Sequence, residues 1–285
     1  MGFVLALLAA LAYGSSDFAA GVAARRVAAV PVAVVAQTVG LLAIVAAVLV
    51  YPGTGPSAGA LTWGAISGVG LGVGSLALYH GLSIGAMSVV APVSAVLAAA
   101  LPAVVGLLGG ETLPVTGLVG LVVGVLAIGL VSATSTPEPT SGFGASRYAW
   151  APIGFGTLSG MGFALLFIAL DRAGTQTGAW PVLPSQAVAL AMTLALVVTG
   201  GHRSTRSWRP AVPLAIFTGI SGAAATLLFL VATGTGRLAV VAVITALYPA
   251  ATVILARVFL AERWTRLQMV GLLAAATAIA LISVS

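Results

Sequence analysis

The chain has 285 residues, 60% hydrophobic and 6% charged, where a soluble domain is about a quarter charged. Such a sequence cannot cover its own surface with polar groups, which excludes a water-soluble globular fold and indicates an integral membrane protein. The formal charge of +6 rests on arginines scattered singly or in short clusters, which suits loops held at lipid headgroups better than nucleic acid. With no cysteine, disulfides and thiolate chemistry are excluded.

A bilayer core takes roughly 20 apolar residues per helix. Pro, Gly and Arg divide the chain into segments of that kind near 2–22, 31–50, 61–81, 87–108, 115–132, 149–170, 182–200, 211–231, 238–259 and 267–284. The first, Gly2 to Leu11, lacks the positive flank of a signal peptide and is followed by further apolar segments, so it reads as a retained span. It runs into "AYGSSDFAAGVAARR", which carries Asp17 deep in the apolar run. A carboxylate at that depth is costly against lipid and belongs in the bundle interior or a wet cavity; the alternative is that the helix ends early and Asp17 caps a turn or pairs with Arg25. Tyr13, four residues earlier, shares its face, and Ser16 precedes it directly.

In the third span Gly64, Gly68 and Gly72 recur every four residues, lining one helix face for close packing; Gly120 and Gly124, and Gly156 and Gly160, repeat the spacing. "GVGLGVG" in this span lacks the Gly-Lys-Ser/Thr ending of a phosphate loop, and "GLSIG" lacks the strand-to-helix context of a hydrolase elbow. Tyr79 and His80 close the span. His80 is a candidate proton carrier with Asp17, the alternative being an interfacial residue bonded to a carbonyl.

Pro92 in the fourth span and Pro249 in the ninth are expected to interrupt their helices, freeing carbonyls beside a central site with Ser94, Thr245 and Tyr248 nearby. Glu111 and Glu262 stand at helix junctions, where stabilising a helix N-terminus or pairing with Arg outweighs a substrate role. Asp171–Arg172 and Arg257, near span ends, read as structural. No run of carboxylates suits a hard cation, and two distant histidines argue against a metal site.

Sliding the chain by 151 residues lays Val89–Ala91 on Val240–Ala242, Glu111 on Glu262, Gly120–Leu121 on Gly271–Leu272 and Ser132 on Ser283. The expected organisation is therefore a five-helix repeat over 1–132, a Pro/Ser/Thr/Gly-rich linker over 133–148 and a second repeat over 149–285. An odd number of spans per copy inverts the second copy and places a substrate site at the interface between them. With both termini outside, the inward loops hold Arg25, Arg26, Arg147, Arg203, Arg206, Arg209, Arg263 and Arg266, against Arg172 and Arg237 outside; the positive-inside rule favours that orientation.

The stretches "SVVAPVSAVLAAALPAVVGLLGGETLPVTGLVGLVVGVLAIGLVS" and "AVVAVITALYPAATVILARVFLAERWTRLQMVGLLAAATAIALIS" resemble the repeat ending of EamA-type members of the drug/metabolite transporter superfamily. Glu262–Arg263 fits the family's Glu-Arg pattern, whereas Glu111–Thr112 lacks the Arg. The resemblance implies an all-α membrane fold of ten helices in two inverted repeats, with both termini cytoplasmic, against the arginine count.

The function expected is a secondary transporter in the cell membrane that moves small organic metabolites or drugs outward by alternating access, without cofactor or nucleic-acid partner, as monomer or homodimer. The candidate cavity residues are Tyr13, Ser16, Asp17, Tyr79, His80, Ser94, Phe163, Thr226, Thr245 and Tyr248. A membrane-embedded enzyme or flippase acting on lipid-linked substrates is the alternative, and a passive channel a third.

Overall fold

In the computed structural model, residues 1–24, 29–83, 87–132, 151–200, 211–260 and 264–284 are described. The order is α1 (Gly2–Ala24), α2 (Ala29–Val50), α3 (Ala58–Ser83), α4 (Met87–Leu108), α5 (Val115–Ser132), α6 (Ala151–Ala173), α7 (Val182–Gly200), α8 (Val212–Thr233), α9 (Leu238–Thr245), α10 (Tyr248–Leu260) and α11 (Arg266–Ser283). Among the described residues nine segments are long and apolar enough to cross a bilayer, α9 and α10 together forming one of them. Lipid offers the backbone no hydrogen-bond partners, so these apolar runs close their bonds internally as helices. The linker expected at 133–148 and Glu262 lie outside the described residues, as do Arg25, Arg26, Arg147, Arg203, Arg206, Arg209 and Arg263.

Helix order puts the start of α1, the end of α11 and the connections at 51–57, 109–114, 174–181 and 234–237 on one side of the bundle, here the termini face. The ends of α1, α3 and α10 and the starts of α6 and α8 lie on the other, the far face. Packing pairs helices of the first half with those of the second: α1 on α8 and α6 on α3, α2 on α8 and α7 on α3, α4 on α6 and α1 on α9 and α10, with α5 against α11. Exchanging the halves leaves this set of pairings in place.

Small residues make the seams. A Cβ on Gly64, Gly68 or Gly72 would run into Pro181 and Pro184, Ser185 and Val188, or Met192, so the glycine face of α3 is the surface on which α7 lies. Gly160 meets Ser94 and Leu97 of α4, and Gly120 meets Ile282 of α11. Because lipid tails are as apolar as leucine, close backbone approach of this kind supplies the dispersion contacts that hold such helices together.

One expectation is corrected. α4 continues through Pro92 and Pro102, while the ninth span does break, with Ala246–Leu247 separating α9 from α10. Pro249 is the second residue of α10, where a missing N–H costs little. Pro92, six residues into its helix, is carried by the neighbouring turns instead, as membrane helices tolerate. The two prolines are therefore not equivalent.

Candidate functional site

Along α1, residues one turn apart change environment in order. Ala6 is fully buried and Ala10 is 5% exposed, Tyr13 is partly buried, and Asp17 is exposed. The lipid-side stripe of the same helix is a different one, made of Val4, Leu8 and Leu11. Asp17 thus continues the inward stripe, and its side chain is exposed although protein surrounds it closely. At 1.5 Å per residue it lies about 10 Å below the far end of α1. Both Tyr13 and Tyr248 are within electrostatic range of its carboxylate.

Above Asp17 the centre of the bundle is aromatic. The Tyr13 hydroxyl shares a 2.8 Å hydrogen bond with Thr226 Oγ1 of α8, which itself donates to the Gly222 carbonyl. The Tyr13 ring meets Phe167 of α6 edge-on at 6.2 Å and Tyr248 of α10 at 6.2 Å. Phe167 stacks on Phe229 of α8 at 4.4 Å. Neither Phe167 nor Phe229 was singled out by sequence reasoning, since a lone phenylalanine in an apolar helix carries no signal of where it points.

Hydroxyl groups fasten α1 to its neighbours. Ser15 Oγ and Ser221 Oγ lie 2.9 Å apart, Ser221 Oγ donates to the Ala12 carbonyl, Ser16 Oγ donates to the Thr218 carbonyl at 3.0 Å, and Thr252 Oγ1 of α10 donates to the Gly14 carbonyl. In membranes such bonds average about 0.6 kcal/mol each, so the ladder fixes register more than it stabilises. It also consumes Ser16, which is buried.

The structure therefore brings together Tyr13, Asp17, Thr226 and Tyr248. Ser94 lies elsewhere, on a buried seam: its Oγ is 2.8 Å from Ser159 Oγ, which donates to the Gly74 carbonyl, tying α4 to α6 and α3. Phe163 lies against Gly74. His80 is exposed near the far end of α3, its ring 4.7 Å from that of Phe155; α3 is not among the helices on which α1 packs most closely, so Asp17 and His80 share no packing seam. The Tyr79 side chain lies outside the described residues. Thr245 is fully buried at the end of α9, its Oγ1 without a partner among the described residues.

The termini face is closed. The Thr54 amide donates to the Gln176 carbonyl at 2.9 Å and the Ala179 amide to the Tyr51 carbonyl at 3.0 Å, knitting the α2–α3 and α6–α7 connections together. Gly53 and Gly178 allow this approach, with φ of 54° and 61° and no room for a Cβ on either. From the α4–α5 connection, Glu111 accepts the amide of Leu238 on Oε1 at 2.5 Å and that of Ala239 on Oε2 at 3.0 Å. A carboxylate of the first half thus caps the first turn of α9 in the second, where two amides would otherwise lack partners. Gly106 makes space for that carboxylate. Among the described residues no group of His, Cys, Asp and Glu fit to hold a metal occurs.

Comparison with known proteins places the chain. Residues 150–284 match the model of the EamA-like transporter family. A solved structure described as "Crystal structure of protein" superposes with a TM-score of 0.75 over 99% of this chain and 96% of its own, at 15% identity, a likeness of fold. No curated protein matches significantly. The second half of the chain, residues 150–284, thus carries a domain of the EamA-like transporter family, which lies within the drug/metabolite transporter superfamily, and the chain as a whole is an all-helical multi-span membrane protein.

Proposed function

We propose that the protein is a secondary transporter of the cell membrane that carries a small organic solute outward by alternating access, built from two inverted five-helix repeats, 1–132 and 149–285. The observation that carries this reading is the contrast along α1: the inward stripe is buried at Ala6 and Ala10 and accessible at Asp17, while the termini face is closed over it. A path open at one end and shut at the other is what one state of an alternating-access cycle requires, and the exchangeable helix pairings supply a second state in which the two ends trade roles. Asp17 carries the coupling proton or pairs with a cationic solute, because a carboxylate at that depth is retained at a cost.

The test uses proteoliposomes containing the full chain and a screen for solutes that raise its melting temperature, drawn from amino acids, nucleosides, sugars and cationic dyes. Saturable flux of a stabilising solute is expected. Asp17→Asn should abolish that flux or detach it from the pH gradient. Wild-type flux with unchanged pH dependence rejects the role of Asp17, and flux that never saturates rejects the transporter reading in favour of a channel.

A further inference from the structure

Asp17 has a counterpart that the sequence reading set aside as structural. It stands four residues after Tyr13, near the end of α1; Asp171 stands four residues after Phe167, near the end of α6. α1 and α6 are the first helices of the two halves and cross in opposite directions, so one carboxylate lies toward the far face and the other toward the termini face. The two aromatic residues, each one turn inward of its carboxylate, touch each other edge-on at the centre. Asp17 and Asp171 therefore flank one aromatic core from opposite sides, Asp171 nearer its helix end.

Asp171 borders a hollow of about 350 Å³ on the termini face, formed with Ser57, Thr175, Gln176, Thr177 and Thr233. Its carboxylate makes no hydrogen bond or ion pair among the described residues. The charged groups within electrostatic range of it are Glu111 and Arg172. Glu111 is occupied by the first turn of α9 and Arg172 is exposed. Thr177 adds a second unspent group: it is 6% exposed, and its Oγ1 has no partner among the described residues. A half-buried carboxylate without a partner, with hydroxyl and amide groups around it, favours a compact cation that can give up its water, and an ammonium on an organic body fits that description.

We infer that the hollow at Asp171 is a binding site for an organic ammonium group, the opposite-side counterpart of Asp17. As the second station of a path it rests on the transport reading above; as a binding site it does not. The absence of native cysteine makes the test direct. Thr175→Cys in the full-length protein places one thiol in the hollow, to be modified by a methanethiosulfonate bearing trimethylammonium and, separately, by its sulfonate analogue. After normalisation to a free thiol, the cationic reagent should react about tenfold faster or more, the ratio a nearby unit negative charge produces. Tetramethylammonium should slow that reaction. Adding Asp171→Asn should return the ratio to that of the free thiol and remove the protection, while Asp171→Glu keeps both and shows that the hollow is still folded. An unchanged ratio in Asp171→Asn, or no protection by tetramethylammonium, overturns the inference. The chemistry needs no turnover, so failed solute flux with the ratio intact removes the transport reading alone, and the reverse removes this site alone.

Discussion

The two pieces of the ninth span show how differently the molecule treats its two ends. α9 buries Leu238, Ala239 and every residue from Val241 to Thr245. α10 continues the same apolar span, yet Ala251 is its one buried residue among those described. α9 starts on the Glu111 carboxylate and lies against α4, α1 and α5, whereas α10 lies mainly on α1. One continuous apolar span thus gives a packed plug at one end and a splayed wall at the other. Composition contributes, since α10 carries Tyr248, Thr252 and Arg257 where α9 is almost wholly aliphatic, and the convergence of α4, α1 and α5 on α9 does the rest.

Substitutions can break or sharpen this contrast. The largest effect is expected at Gly178, whose φ of 61° and backbone contact with Tyr51 both exclude a side chain. Gly178→Val should cost about 3 kcal/mol or more, strain and overlap together, read as lost monodisperse protein or a lower melting temperature. Next comes Glu111→Ala, which leaves two amides of α9 without their carboxylate and should cost about 1–3 kcal/mol; Glu111→Gln, which keeps an acceptor, should recover part of that melting temperature. Tyr13→Phe removes the hydroxyl bonded to Thr226 but keeps the ring and should lower stability by about 0.5–1.5 kcal/mol. The smallest change is expected at Gly21, on the open end of α1, where a Cβ meets nothing within 4 Å. Gly21→Ala should be neutral or stabilise by up to about 1 kcal/mol through helix propensity. A melting temperature that falls as far for Gly21→Ala as for Gly178→Val would erase the distinction between the two ends.

Much of this was legible beforehand. The helix bounds follow closely the apolar runs between Pro, Gly and Arg, because a span must be about as long as the hydrocarbon is thick. The glycine spacing of α3 foretold a seam, since residues four apart share a helix face. Pro92 and Pro249 looked alike and are not, because a proline's effect depends on whether its turn begins a helix or lies within one. Ser94 and Ser16 had the polarity of a cavity lining, but each is spent on a seam between helices, which no local pattern distinguishes.

Composition and periodicity alone determined that this chain lives in a bilayer as a bundle of helices, since the energetics of lipid leave few other ways to satisfy a backbone. They also set Asp17 apart as an acid deep in an apolar run. Which helices meet, that Glu111 reaches across to α9, and that the Tyr13 and Phe167 rings touch between Asp17 and Asp171 were decided by tertiary packing. Those are contacts between residues more than a hundred positions apart, and only the shape of the neighbouring helix chooses among faces of similar polarity.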